Sequence, residues 1–138
     1  LPLSLTKPAL YAQDSTGQVV LLGGRCTCGY VFFPLQQFGC ERCGRHGAAL
    51  TPVALRGVGT LLATAMVHMH ADKRRTAPFV IGTVALDDGP IVRTLLTESP
   101  PLVNQPVRVI ATLLPVTTGE PATETLDLRF RPVLDGAR

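Results

Sequence analysis

The chain has 138 residues, 46% of them hydrophobic and 17% charged, and a formal net charge of +3. That composition excludes a disordered chain, and the charge falls short of the dense basic patch of a dedicated nucleic-acid binder. No apolar run approaches the roughly 20 residues of a membrane-spanning helix, so no membrane association is expected and a cytoplasmic location is. Two Tyr, five Phe and no Trp leave Val, Leu, Ile and Ala to build the core, while 13 Gly and 12 Pro favour short strands and turns.

Residues 1–18 are polar, with Pro2, Pro8 and Gly17. They read as an N-terminal arm, and LPLSLTKPAL has neither the basic leader nor the apolar stretch of a secretory signal. The chain does not open on Met, which leaves a longer parent protein possible.

Residues 19–50 read as a zinc ribbon. Val19 to Leu22 is expected as its first strand and Tyr30 to Phe33 as its partner, with Pro34 ending the latter. All four cysteines fall here, at Cys26, Cys28, Cys40 and Cys43. Two close pairs, each presented from one turn, can complete a tetrahedral shell of four thiolates when the hairpin folds back. Gly29 and Gly44, each just after a pair, suit the positive-φ turn that aims backbone amides at sulfur. The rival reading is a pair of cross-linking disulfides, and a bridge within Cys26-x-Cys28 itself would be strained. The first pair is Cys-x-Cys, one residue shorter than the usual knuckle, although residues i and i+2 of an extended segment still point the same way. His46 is a conceivable substitute ligand; a solvated loop His is the plainer reading. A closed all-cysteine site keeps no open coordination position, so such a metal is structural and supplies no catalysis. It would hold together a segment too small to bury its own core.

Residues 51–138 read as a five-stranded OB-fold barrel. Residues 48–57 are expected as a connector stopped at Pro52. From Gly59, Leu61, Ala63, Ala65, Val67 and Met69 alternate with Thr60, Leu62, Thr64, Met66 and His68, the period of a strand. A charged loop, ADKRRTAP, precedes a second strand over Phe79 to Leu86. Asp87-Asp88-Gly89 turns the chain into a third, Ile91 to Leu96. Strands over Val107 to Leu114 and Thr125 to Val133 follow. Five strands with no clear helix suggest a small closed barrel, and five is the OB-fold count.

Signals of independent catalysis are missing. No cysteine lies outside the ribbon, no serine sits in a G-x-S-x-G setting, and no glycine-rich phosphate loop appears. His68 and His70 share a strand face but have no acidic partner at useful spacing. A single-strand nucleic-acid binder needs exposed aromatic platforms, and the barrel segment holds just Phe79 and Phe130, both explicable as core. Lys73, Arg74 and Arg75 form the one basic cluster. They could meet coenzyme A phosphates or an acidic partner rim, or simply keep a loop solvated. Phe32, Phe33 and Phe38 are too many aromatics for a ribbon interior, so some are expected against the barrel or a partner chain. Arg129 and Arg131 flank Phe130 as a polar ladder.

The segments LLGGRCTCGYVFFP and GCERCG, then RGVGTLLATAMVH, APFVIGTVALDDG, QPVRVI and LRFRPV, stand in an order that resembles the DUF35 zinc-ribbon OB-fold family. The likeness runs from about Val20 to Val133 and departs from the family in the short Cys26-x-Cys28 knuckle and the lack of a leading helix. It implies an all-β protein in which a rubredoxin-like zinc ribbon precedes the barrel. It further implies a non-catalytic accessory subunit of a thiolase-superfamily enzyme: a thiolase, an acyltransferase or a lipid-transfer-protein-like aldolase of steroid side-chain breakdown. Such a complex acts on acyl-CoA thioesters, and the subunit stabilises its partner and shapes the acyl-CoA channel. Partnership with a MaoC-like enoyl-CoA hydratase is the nearest alternative, and single-stranded nucleic-acid binding a more distant one. The resemblance transfers no catalytic residue.

Overall fold

The computed structural model describes residues 3–68, 79–100, 106–119 and 121–133. Among these, nine strands and one short 3-10 turn at Gly47–Ala49 make up the regular structure, with no α-helix. Two sheets result. The first joins β1 (Tyr11–Gln13), β2 (Val19–Cys26), β3 (Val31–Phe32) and β4 (Leu50–Arg56), with β2 at its centre. The second runs β7-β6-β5-β8-β9, where β5 is Val58–Val67, β6 Phe79–Leu86, β7 Ile91–Leu95, β8 Val107–Thr118 and β9 Thr123–Pro132.

The five strands of the second sheet are the five expected from periodicity. Alternation is clearest in β6, where Val80, Gly82, Val84 and Leu86 are buried and the residues between them half-buried. The sheet curls until its ends meet: Leu96 bridges Phe130 in parallel, and Thr97 N–H donates to the Phe130 carbonyl at 2.9 Å. The third barrel strand thus closes on the fifth, which gives the OB-fold its Greek-key barrel. Asp87-Asp88-Gly89 does form the β6–β7 turn, with Gly89 at φ +126°. Arg108 grips Asp87 through two hydrogen bonds of 2.7 and 2.6 Å, and Arg56 holds Asp88 at 2.7 Å, so the turn is clasped to β8 and to β4.

Two expectations need correction. Residues 48–57 are not a plain connector: β4 pairs with β2 along its whole length, from Leu50 opposite Cys26 to Arg56 opposite Val20. Pro52 did not stop it because β4 is an edge strand, where a missing N–H can face outward. The polar N-terminal segment is also not merely an arm. It contributes β1, a bridge from Leu5 to Leu126, and Tyr11, which is 1% exposed.

The core explains both. Tyr11, Leu21 and Leu55 from the first sheet pack with Val80, Val84, Leu86, Val92, Leu96, Val109 and Phe130 from the barrel in one cluster. A second, smaller cluster holds Cys26, Phe32, Cys40 and Leu50. Strand β2 spans the two, with Leu21 in the larger and Cys26 in the smaller. The ribbon is therefore anchored on the barrel's core at one end, and Cys26 and Cys40 lie in the small cluster at the other. No described helix is long and apolar enough to cross a membrane.

Candidate metal centre

The cysteines come from two turns brought together by the β2–β3–β4 sheet. Cys26 closes β2. After it the chain reverses: Gly29 N–H donates to the Cys26 carbonyl at 2.8 Å, and Cys26 N–H to the Tyr30 carbonyl at 2.8 Å. The second turn repeats the pattern, with Gly44 N–H on the Cys40 carbonyl at 2.8 Å and Cys40 N–H on the Arg45 carbonyl at 2.7 Å. Gly29 (φ +99°) and Gly44 (φ +81°) occupy the left-handed region, as the turn chemistry required. Thr27 N–H on the Ala49 carbonyl (3.0 Å) and Arg45 on the Thr27 hydroxyl (3.2 Å) fix one turn against the other.

All four sulfurs lie within 4.8 Å of one another. Cys26 Sγ is 3.5 Å from Cys43 Sγ, and Cys28 Sγ is 3.7 Å from Cys40 Sγ. These separations are far longer than a disulfide bond and close to the edge of roughly 3.8 Å that a tetrahedron with 2.3 Å zinc–sulfur bonds has. All four are free thiols. The shortened Cys26-x-Cys28 turn therefore does not prevent convergence. The cluster can hold one tetrahedral metal ion such as zinc, and His46, exposed at the start of the 3-10 turn, is not part of it.

Electrostatics within the cluster are uneven. The Cys28 amide donating to Cys26 Sγ, helped by neighbouring thiols, lowers Cys26 to about 6 despite its burial. Burial pushes Cys40 up, but the amides of Cys43 and Arg42 outweigh it and the net direction is down. Arg42 N–H reaches Cys40 Sγ at 3.4 Å. At Cys43 the Arg45 amide lowers the value, while burial and three neighbouring thiols prevail and raise it to about 11. The surroundings thus favour the thiolate at Cys26 and oppose it at Cys43, where a bound cation must drive deprotonation. A zinc ion there would cross-link the two turns and, with four sulfur ligands, leave no position for substrate or water.

Beneath the cluster, Phe32 and Leu50 supply the apolar floor. Phe33 packs instead on the barrel core. Phe38 packs on neither and is 94% exposed, at the tip of a loop braced by Gln36, whose side-chain Oε1 accepts from the Phe38 (2.6 Å) and Gly39 (3.1 Å) amides. The three ribbon phenylalanines therefore divide between ribbon, barrel and surface.

Other expected site residues fall apart from this centre. Lys73, Arg74, Arg75 and His70 lie outside the described residues. His68 is exposed at the end of β5. Arg129 is not part of an open ladder: it pairs with Asp127, which accepts a 3.1 Å hydrogen bond from the Tyr11 hydroxyl. That group was missed from sequence, because Tyr11 stands alone in a polar stretch. Phe130 is wholly buried and offers no stacking platform.

Residues 52–112 match the profile of a family described as "ChsH2, C-terminal OB-fold domain". Among solved structures, a chain of an "Ltp2-ChsH2(DUF35) aldolase" shares this fold with a TM-score of 0.60. The match covers 83% of this chain and 86% of that one at 22% sequence identity. No curated protein matches the chain.

Proposed function

We propose that the chain, whose residues 52–112 match the profile of the ChsH2 C-terminal OB-fold domain, is a non-catalytic accessory subunit of a thiolase-superfamily enzyme acting on acyl-CoA thioesters. The observation that carries this reading is the joint likeness of ribbon and barrel to the DUF35 chain of an aldolase complex, over most of both chains. A lipid-transfer-protein-like aldolase is accordingly the first candidate among partners. The construction of the metal centre supports the same reading. Four cysteines use every coordination position, so the only cluster of metal-ligating side chains among the described residues is built for holding shape.

In this role Cys26, Cys28, Cys40 and Cys43 bind structural zinc, and the partner supplies the reacting groups. The barrel and ribbon stabilise the partner and border its acyl-CoA channel. Lys73, Arg74 and Arg75 are candidates for coenzyme A phosphates or for an acidic rim on the partner, by charge alone. A MaoC-like hydratase as partner is the second form of the proposal.

The test compares acyl-CoA turnover by the isolated chain with turnover by the complex it forms in its own cells. The expected result is no turnover by the chain alone and thioester-dependent carbon–carbon bond cleavage or formation by the complex. Turnover by the isolated, homogeneous chain would overturn the accessory role.

A further inference from the structure

Past Leu61, strand β5 has a side that no other strand among the described residues covers. Its ladder with β8 runs from Val58 opposite Ile110 to Leu61 opposite Val107 and ends there. The next residue of that chain is Pro106, which has no N–H to give. The register of β5 on β6 slips between Leu61 and Ala63, then continues to Val67 opposite Phe79.

The slip decides which groups are left over. Leu96 N–H donates to the Val80 carbonyl at 2.9 Å, so the even residues of β6 face β7 and the odd ones face β5. Ala63, Ala65 and Val67, opposite Thr83, Ile81 and Phe79, consequently face β6. The amides and carbonyls of Thr64 and Met66 point the other way, and no strand among the described residues pairs with them.

Two other edges of this sheet are dealt with. Beside β9, Thr6 N–H donates to the Leu126 carbonyl and Leu126 N–H to the Ser4 carbonyl, both at 2.8 Å. Past Ala111, the free side of β8 carries Pro115, a usual guard against strand addition. Among the described residues the β5 edge has no such guard. Residues 62–67 contain no charge and no proline, residues 62–66 are exposed, and Leu62 and Met66 are 55% and 44% exposed.

We infer that this edge of β5 receives an extended, uncharged segment of a partner protein as an added strand, bonded through the main chain of Thr64 and Met66. Open donors and acceptors at strand spacing specify an extended backbone, and the neutral side chains around them favour an apolar segment over an acidic or basic one. Six residues span roughly 20 Å, too little to bury the about 1,200 Å² that a self-standing interface needs. The occupant is thus an arm or tail of a protein that also docks elsewhere, and not a second copy paired edge to edge. The surface is independent of which enzyme the chain serves.

The test uses the full chain purified from its own cells, with bound proteins retained and then stripped. Amide hydrogen exchange at Thr64 and Met66 is read in both states, and a photocrosslinking side chain at Met66 identifies what lies beside it. Thr64→Pro removes an outward amide and leaves the β6 ladder intact, and Met66→Lys adds an edge charge; either keeps the melting temperature and lowers partner recovery about tenfold or more. Protection of both amides in the complex, with crosslinks to one extended partner segment, supports the inference. If the partner is a protein unrelated to thiolases, the edge stands and the proposed function falls. If a thiolase-like enzyme binds with both amides unprotected and both variants recovered in full, the edge inference is overturned and the function stands. Crosslinks solely between copies of the chain, or a monomer that retains nothing, also overturn it.

Discussion

At the residue scale, one polar contact does more than its neighbours. The Tyr11 hydroxyl lies 3.1 Å from the Asp127 carboxylate and from the Leu126 carbonyl, and accepts from the Lys7 amide at 3.1 Å. Burial raises the Asp127 pKa, but the Arg129 guanidinium and the Tyr11 hydroxyl outweigh it, so the value is lowered. Burial and the nearby carboxylate raise that of Tyr11. A carboxylate depressed by folding stabilises the native state above its unfolded value and loses that contribution as pH falls through the folded one. A phenol raised by folding stabilises below its unfolded value, and that contribution goes as pH climbs through the folded one. Stability is therefore expected to drop on the acid side below about pH 4 and on the alkaline side above about pH 10, from these two groups. Tyr11→Phe should cost about 1–2 kcal/mol and remove this group's share of the alkaline drop, read by denaturant melts across pH. An unchanged alkaline limb in that variant would show that the contact contributes nothing.

At the element scale, the proposed metal cross-link falls in the ribbon. Its small core of Cys26, Phe32, Cys40 and Leu50 contains two of the four cysteines that could hold the ion, so a bound metal and the packing would form one structure. Cys43→Ala should lose bound metal and lower the melting temperature on the order of 10 °C, with both changes appearing together. Full metal content with unaltered melting would contradict a structural cross-link. This element also shows what sequence patterns carry and what they hide. Four cysteines and two turn glycines announce the site, because ligand chemistry restricts residue type and spacing tightly. Strand β4 was hidden, since Pro52 punctuates a central strand but not an edge one, and only the fold reveals which strand is at the edge. The barrel strands were legible because Phe79–Leu86 and its neighbours alternate about a single buried face.

At the scale of the whole molecule, ribbon and barrel form a continuous body. Gly57, between β4 and β5, marks their junction: a Cβ there would sit 2.6 Å from that of Ala111 and 2.9 Å from the Val19 carbonyl. Sequence reading separated an arm, a ribbon and a barrel, whereas Tyr11, Leu21 and Leu55 from outside the barrel help fill its core. A lone tyrosine in a polar stretch gives no periodic signal, so its burial becomes visible only with β9 in place. Phe38 and the outward side of β5 past Leu61 are displayed on the outside.

The central claim is that the chain is a zinc-stabilised accessory subunit, and native mass spectrometry of the tagged chain purified gently from its own cells tests it most directly. The predicted result is one zinc ion per chain and a fixed stoichiometry with a thiolase-superfamily enzyme. A chain that travels alone without metal, or that carries nucleic acid in place of an enzyme, would contradict it.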